Sequence, residues 1–318
     1  DRIDYSNDTA TASPKGPLSA SRRYVAGTGN QSFGYVGGGE SPTVSTVDRV
    51  DYSNDTATAA AKGPLSVARQ KLAATGNSSF GYFGGGLNSS YSNISRVDRI
   101  DYSNDTATAP DKGPLSAVKR ESAATGNSSF GYFTGGLPSY SIIDRVDYSN
   151  DTATASPRGS LSVSRAAAAA TSRKGQGAPD TSNISPVATN FGYFGAGYGS
   201  SLLVAVDRID YSSDTTAAAP KGPLTLGRSD LGATSNASFG YFAGGTSPKR
   251  STVDRIDYGN DTATAVAKGP LSIAIGYHGA AGNSSFGYFA GGGSPKVSTV
   301  NRIDYGNDTA TAVAKGPL

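Results

Sequence analysis

The chain has 318 residues and a net charge of +3, with 42 glycines, 16 prolines, one histidine and no cysteine, methionine or tryptophan. The lack of cysteine excludes disulfides, thiolate metal sites and cysteine nucleophiles, and the single His278 excludes any site that needs two imidazoles. Lys and Arg alternate with Asp and Glu, and no apolar run approaches the ~18 residues of a membrane span. We therefore predict neither nucleic-acid binding nor membrane insertion.

Three short motifs recur along the chain and divide it into similar segments. Copies of Asp-Tyr-Ser-Asn-Asp-Thr-Ala-Thr-Ala begin at Asp4, Asp51, Asp101, Asp147, Asp210, Asp257 and Asp304. Copies of Phe-Gly-Tyr-Phe-Gly-Gly begin at Phe33, Phe80, Phe130, Phe191, Phe239 and Phe286, and Lys-Gly-Pro-Leu or a near copy follows each Asp-Tyr motif. A period of about 40–50 residues is typical of propeller blades and of helical arrays, and the density of Gly, Ser, Thr, Asn and Pro argues against helices.

Each repeat is predicted to hold four short strands, A to D. In the second repeat we place them at residues 71–75, 79–84, 95–102 and 106–109, with polar turns of hairpin length between A and B and between C and D. Aromatic residues alternate on both faces of strand B, so we expect both faces to be buried. The glycine pair after strand B is expected to let neighbouring backbones approach closely.

The second repeat resembles the kelch family in three segments, which are Tyr82-Phe83-Gly84-Gly85, Ile100-Asp101-Tyr102 and Pro64-Leu65-Ser66-Val67-Ala68-Arg69. The resemblance extends over the whole chain, although Ala or Thr replaces the tryptophan that the family has after the polar turn. It implies a single all-β propeller of four-stranded antiparallel blades, with a leading C–D half-blade at 1–18 and six complete repeats at 19–318. The propeller would then have six or seven blades. More narrowly, the Gly-rich repeats resemble kelch-like virion structural proteins of marine phages.

Comparison of the repeats shows where the chain varies. In an antiparallel four-stranded sheet the D–A and B–C connections lie at one end, which we call the loop end, and the A–B and C–D turns lie at the other, the turn end. The turns are nearly fixed, whereas the loop-end connections differ between repeats. Because loops on a rigid scaffold carry recognition, we predict a binding face that contains Arg22, Arg23, Tyr24, Tyr91, Arg120, Tyr140, Tyr198, Lys249, Arg250, Tyr277, His278 and Lys296. Sequence drift where packing constrains least is the alternative.

Two further features extend the repeat pattern. An insertion at about residues 172–189 lengthens the A–B turn of the fourth repeat, and it is either a contact loop for a neighbouring subunit or an inert loop. Asn-x-Ser/Thr sequences in the turns are candidate glycosylation sites, and turn chemistry alone is the alternative explanation. These sites are Asn7, Asn30, Asn54, Asn77, Asn104, Asn127, Asn150, Asn236, Asn260, Asn283 and Asn307.

Charged residues of the Asp-Tyr motif are interpreted as structural. Arg49 and Asp51 lie on one side of strand C, and we expect them to form an ion pair between packed blades. The spacing of Asp51, Asn54 and Asp55 is poor for a calcium loop, and His278 has no nucleophile motif nearby. We therefore predict no metal, no cofactor and no enzymatic activity.

The composite prediction is a structural and adhesive propeller, located outside the cell or on a virion surface. Its partners would be other copies of the chain or other virion proteins, together with a glycan or protein of the host surface. Because both termini lie inside repeated sequence, we expect the repeat to continue beyond them. The alternative is a subunit of an extracellular fibril or sheath in which propellers stack and the sequons carry sugar. An intracellular kelch adaptor is a third hypothesis, and it would require an accompanying recruitment domain.

Overall fold

The computed structural model describes residues 1–4, 9, 12–172, 191–293 and 296–318, and the regular elements among them are all β-strands. The chain divides into two compact units. The first unit is Lys15–Ala166, and the second comprises, in its described part, Asp1–Pro14 with residues 167–172 and 191–318. Asn7 and nearly all of the insertion predicted at 172–189 lie outside the described residues.

Of the strands that the described residues form, thirteen belong to the first unit and twelve to the second. The first unit contains β1 Ala26–Gly29, β2 Phe33–Gly37, β3 Val47–Asp51, β4 Ala60–Ala61, β5 Arg69–Gln70, β6 Ala73–Gly76, β7 Phe80–Gly84, β8 Leu87–Asn88, β9 Val97–Asp101, β10 Ala123–Gly126, β11 Phe130–Thr134, β12 Ile143–Asp147 and β13 Ser156–Pro157. The second contains β14 Ala169–Ser172, β15 Phe191–Gly195, β16 Val206–Asp210, β17 Ala219–Lys221, β18 Gly232–Ser235, β19 Phe239–Ala243, β20 Val253–Asp257, β21 Val266–Ala267, β22 Gly279–Gly282, β23 Phe286–Ala290, β24 Val300–Asp304 and β25 Val313–Lys315.

Each sheet follows chain order, with antiparallel neighbours throughout. The four-stranded sheets are β1–β4 and β10–β13 in the first unit, and β14–β17, β18–β21 and β22–β25 in the second. In repeat two, β6, β7 and β9 form the sheet, its fourth position is a bridge between Asp98 and Asp111, and β5 pairs with β8 as a small ribbon at the loop end. These six sheets are the blades of a β-propeller, which confirms the predicted all-β fold class.

Residues before the first complete sheet have the pairing of a C–D half-blade. Arg2 forms an antiparallel bridge with Ser13, at the positions that pair as Arg49 and Ala60 in β3 and β4. Within the second unit, the Ala12 amide donates to the Pro317 carbonyl at 3.0 Å, as the equivalent amide of the last repeat does to Pro270 at 2.7 Å. The leading segment therefore packs beside repeat six in the way that a following repeat would.

Strand B has two buried faces because each face meets another sheet. Tyr82 packs in a cluster with Phe133 of the following repeat, whereas Phe83 packs in a separate cluster with Tyr35 of the preceding repeat. Burying one such aromatic side chain stabilises the fold by roughly 1.5–3 kcal/mol. The Phe133 ring also explains Gly84, because a Cβ atom there would lie 2.6 Å from the Cε1 atom of that ring. The predicted burial of both faces is confirmed.

The glycine pair after strand B brings two backbones together at the loop end. Gly38 and Gly39 have φ values of +68° and +126°, a region that L side chains rarely adopt. The Gly39 amide donates to the Arg69 carbonyl of the next repeat at 2.9 Å, and a Cβ atom on Gly38 would lie 2.5 Å from that oxygen. The expected close approach is therefore present.

Strand D is where the strand prediction was wrong. Residues 106–109 do not pair with strand C, because the turn that begins after Asp101 continues to residue 107. Ala109 instead donates its amide to the Pro64 carbonyl at 2.8 Å, and the pairing with strand C occurs only at Asp111. The end of the Thr-Ala-Thr-Ala sequence is thus bonded to the preceding Lys-Gly-Pro-Leu segment and not to strand C.

Candidate functional site

A buried ion pair joins the D–A connection to the third strand of the same sheet. Arg22 contacts Asp48 at 2.7 Å and also donates to the carbonyls of Val36 and Gly38 at 3.0 and 2.8 Å. The same pair recurs with both side chains fully buried as Arg69–Asp98, Lys119–Asp144 and Arg228–Asp254. Arg22, which was predicted for the binding face, is therefore held inside the fold.

Repeat six replaces both members of this pair. Ile275 and Asn301 occupy the two positions, and both are fully buried. Asn301 Oδ1 accepts hydrogen bonds from the Ser272 amide at 2.8 Å and from its hydroxyl at 2.6 Å. A buried aspartate facing an isoleucine would be an uncompensated charge, so the joint replacement keeps the site neutral.

The turn end of the sheets is organised by a second charged cluster. Asp105 accepts hydrogen bonds from Tyr35 and Arg49 at 2.8 Å each, and its other oxygen contacts Lys62 at 3.2 Å. Burial raises the pKa of the Asp105 carboxyl, but the bonds from Tyr35 and Lys62 and the charge of Arg49 together bring that pKa below its ordinary value. Burial and the Asp105 carboxylate in turn raise the pKa of Tyr35. The same arrangement surrounds Asp151, Asp261 and Asp308.

This cluster corrects one expected ion pair. Arg49 does bond between blades, as predicted, but its partner is Asp105 of the next repeat and not Asp51. Asp51 instead accepts from the amide and hydroxyl of Ser53 at 2.9 and 2.6 Å, and the hydroxyl bond is the main cause that lowers its pKa. Among the described residues, no group of three or more acidic or histidine side chains could hold a metal ion.

Every D–A connection contains one non-glycine residue in the left-handed region, with φ between 51° and 57°. These residues are Tyr24, Lys71 and Glu121 in the first unit and Ala167, Asp230 and Tyr277 in the second. The conformation costs about 1–2 kcal/mol for a residue with a side chain, and glycine would remove that cost. The conformation recurs in all six connections whatever the residue, so the fold requires this backbone geometry while the side chain is free to differ.

The left-handed residues of successive repeats are bonded to one another. In the first unit, the Lys71 amide donates to the Tyr24 carbonyl and the Glu121 amide to the Lys71 carbonyl, each at 2.9 Å. In the second unit, Asp230 donates to Ala167 at 3.1 Å and Tyr277 to Asp230 at 3.0 Å. The backbone therefore spaces these side chains by hydrogen bonds that run from repeat to repeat.

Variable side chains of three repeats form one connected network on the first unit. Lys71 Nζ contacts Glu121 at 2.6 Å and lies 4.9 Å from the centroid of the Tyr24 ring. Arg23 lies 5.1 Å from the same centroid and donates to Glu40 at 2.9 Å. On the far side, Arg120 donates to Asn93 at 2.8 Å and has its Nε atom 3.9 Å from Glu121. We call this set the loop-end network, which comprises Arg23, Tyr24, Glu40, Lys71, Asn93, Arg120 and Glu121.

Glu40, Lys71 and Glu121 are functional candidates that the sequence reasoning missed. Glu40 and Glu121 are the only two glutamates in the chain, whereas the other acidic residues are aspartates. Both glutamates contact a cation that also contacts Tyr24. Their rarity against a repeated background was the available signal.

The remaining predicted residues differ in exposure. Tyr91 is 77% exposed in the first unit, and Tyr198 and Tyr277 are 50% and 59% exposed in the second. Lys296 is exposed, whereas Tyr140, Lys249 and Arg250 are half-buried. The structure brings Arg23, Tyr24 and Arg120 together in the loop-end network, and Tyr91 lies on the same B–C loop as Asn93.

His278 is packed into the fold. Its ring lies edge-on to Phe289 with centroids 5.9 Å apart. A Cβ atom on Gly244 would lie 2.6 Å from His278 Cε1, so the ring fills space that only glycine leaves open. Burial lowers the pKa of His278 to about 4. The ring is therefore neutral at pH 7. It is half-buried and packs against Gly244 of repeat five.

The turn asparagines fall into two classes. Those of the A–B turns are half-buried and use Oδ1 to accept two backbone amides, as Asn77 does from Ser79 and Phe80 at 2.9 Å each. Those of the C–D turns are exposed, and they are Asn54, Asn104, Asn150, Asn260 and Asn307. The accessible sequons therefore gather at the C–D turns.

Comparison with known proteins supports the fold. No protein-family model matches the chain, and no curated protein does. The propeller-fold protein YjhT superposes with a TM-score of 0.69 at 14% identity, over 95% of this chain and 99% of that one. The described residues form no helix that could span a membrane. The chain is thus similar in fold to YjhT, and the kelch-like propeller is supported.

Proposed function

We propose that this chain is a non-enzymatic binding propeller whose loop end recognises a macromolecule. The observation that carries the proposal is the loop-end network, in which variable residues of three repeats meet as complementary charges around Tyr24. These pairs lie at the surface and are partly exposed, and surface ion pairs contribute only ~0–1 kcal/mol to stability. Stability is therefore a weak reason to keep them on strained backbone. Sequence drift in separate repeats gives no reason for complementary neighbours.

The loops beside the network have the composition of a recognition surface. The B–C loop of repeat two reads Leu-Asn-Ser-Ser-Tyr-Ser-Asn, and its Tyr91 is 77% exposed. Tyrosine offers rigid contact area at low entropic cost, and serine and asparagine offer adaptable hydrogen bonds. This composition favours a protein or glycan surface as the ligand over a small molecule.

We place the propeller on a virion fibre or spike that contacts the host surface. This finer assignment rests on the resemblance of the Gly-rich repeats to kelch-like virion proteins of marine phages. The partners would be a host-surface protein or glycan and other copies or other proteins of the virion. The clusters at the turn end and the half-buried His278 are explained by packing, which supports a non-enzymatic role.

Cell binding tests the proposal. The labelled chain is applied to a panel of marine bacteria and bound fluorescence is measured by flow cytometry. A variant with Tyr24→Ala, Tyr140→Ala and Tyr277→Ala is expected to lose at least tenfold in binding to any strain that the parent binds. Tyr52→Ala is the matched control, because Tyr52 is 48% exposed at the turn end. Equal binding by the parent and the triple variant would contradict the proposal.

A subunit of a glycosylated extracellular fibril is the second candidate. The observation that favours it is the exposure of the C–D turn asparagines, which could carry sugar at one end of each sheet. The intact mass of the native chain would then fall in sugar-sized steps on deglycosylation. A mass that deglycosylation leaves unchanged would remove this candidate.

A further inference from the structure

We infer that the loop-end network is the specificity-determining part of the proposed binding face, and that it accepts a carboxylate-bearing loop of a protein partner. The inference rests on the proposed function, since it names the partner chemistry of the same face. It goes further because it selects one part of a face that was predicted to involve every repeat.

The network is ordered before any partner arrives. Its left-handed residues are fixed by amide-to-carbonyl bonds of 2.9 Å between repeats. The Tyr24 ring is held by two cations, Arg23 at 5.1 Å and Lys71 at 4.9 Å from its centroid, and it remains 42% exposed. Side chains that are already ordered lose little conformational entropy on binding, which favours affinity.

The network carries more hydrogen-bond donors than acceptors. Arg23, Lys71 and Arg120 supply three positive charges and Glu40 and Glu121 two negative ones, so the local net charge is 3 − 2 = +1. A guanidinium has five N–H donors and an ammonium three, and the bonds within the network use only some of them. Arg23 keeps a side chain that is 66% exposed. A ligand that supplies acceptors and one negative charge, namely a carboxylate, complements this surface.

The Tyr24 environment favours a protein over a polysaccharide. A sugar ring would need the aromatic face for stacking, and the two cations already cover ring surface there. A protein side chain can instead meet the ring edge and hydroxyl while its carboxylate reaches Arg23 or Arg120. Tyrosine and arginine are also the residues that dominate the energetics of protein interfaces.

The left-handed backbone supplies substitutions that separate binding from folding. Glycine adopts a φ near +55° without strain, so Tyr24→Gly and Lys71→Gly remove a side chain while relieving the backbone. Ala167→Gly is the matched control, because it makes the same backbone change at a left-handed position outside the network. A variant that simply failed to fold would be recognised by its circular dichroism.

The experiment pans a displayed library of random twelve-residue peptides against the full chain. Enriched peptides are expected to be rich in Asp and Glu. One of them, made synthetically, is expected to lose at least tenfold in affinity with Tyr24→Gly or Lys71→Gly and less than twofold with Ala167→Gly. Replacing its carboxylates by amides is expected to cost at least tenfold as well.

Several outcomes would overturn the inference. These are no enrichment over the unselected library, enriched peptides without acidic residues, or an affinity that neither network variant changes. Binding of polygalacturonate in place of acidic peptides would overturn the protein assignment. If peptide binding is lost with Tyr91→Ala and Tyr140→Ala but not with the network variants, the inference fails while the proposed function stands. If cell binding is also insensitive to every loop-end substitution, the proposed function fails too.

Discussion

The two ends of the same sheets are built by opposite rules. At the turn end, each repeat places an aspartate such as Asp105 among a tyrosine, an arginine and a lysine, and the cluster recurs with nearly the same distances. At the loop end, residues such as Tyr24, Lys71 and Glu121 share a strained backbone conformation but differ in chemistry. The fold therefore depends on a backbone conformation at the loop end, whatever the side chain, and on particular side chains at the turn end.

A buried layer of paired side chains lies beneath the loop-end connections, and repeats five and six show how it tolerates change. Arg228 and Asp254 form a fully buried pair at 2.8 Å, and repeat six has the neutral pair Ile275 and Asn301 instead. Two charges that are replaced together leave no unpaired group, whereas either replacement alone would. This layer therefore changes in pairs, unlike the loop-end residues.

The largest loss of stability is expected when only one member of a buried ion pair is replaced. Arg228→Ile leaves Asp254 charged, buried and uncompensated, so we expect a loss of about 3–5 kcal/mol in the free energy of unfolding. Adding Asp254→Asn reproduces repeat six and is expected to restore more than half of that loss. Urea unfolding of the two single variants and the double variant measures the coupling, and additive losses would contradict the paired account.

His278 is expected to make the free energy of unfolding depend on pH. Its pKa is lowered from 6.5 to about 4 in the fold, so the unfolded chain binds a proton that the folded chain does not between those pH values. Stability from this group is therefore present above pH 6.5 and declines as pH falls to 4, by up to about 3 kcal/mol. His278→Leu, which introduces the residue of repeats two and five at this position, should flatten the urea midpoint over that range. An unchanged pH slope would show that the imidazole is solvated.

A smaller loss is expected from the turn end. Asp105→Asn removes the charge that Arg49 and Lys62 share, and it weakens the bond from the buried Tyr35 hydroxyl. We expect a loss of about 2–3 kcal/mol. Asp101→Asn is the control in the same repeat, since Asp101 is half-exposed and bonds only within its own turn, and its effect should stay below about 1 kcal/mol. Equal losses for the two variants would show that the cluster has no special role.

Sequence reasoning located strands B and C well because their signals are local. The alternation in Phe-Gly-Tyr-Phe and in Val-Asp-Arg-Ile-Asp can be recognised without knowing which strands pair. The predicted strands at 79–84 and 95–102 contain β7 and β9. Strand D failed because Thr-Ala-Thr-Ala has strand-like composition, while the turn before it continues further than its hairpin length suggests. The D strands are only two or three residues long, which is too short for a periodic pattern to be recognised.

Long-range partners were the part that could not be predicted. In the sequence, Arg22 cannot be told from an exposed arginine. Only its contact with Asp48 in the structure shows that its side chain is buried. Arg49 passes over its neighbour Asp51 to reach Asp105 in the next repeat. Lys71 and Glu121 are one repeat apart, so an alignment of the repeats that looked for complementary charges could have found them.

Replacing the three left-handed residues of the first unit by glycine tests the division between the two ends most directly. In the variant Tyr24→Gly, Lys71→Gly and Glu121→Gly the backbone strain is relieved. The variant also loses the partly exposed pairs Lys71–Glu121 and Arg120–Glu121, and its unfolded chain becomes more flexible. We predict that its free energy of unfolding, measured by urea titration, stays within about 2 kcal/mol of the parent. A loss that clearly exceeds that of Asp105→Asn would contradict the account, because the loop-end side chains would then be holding the fold.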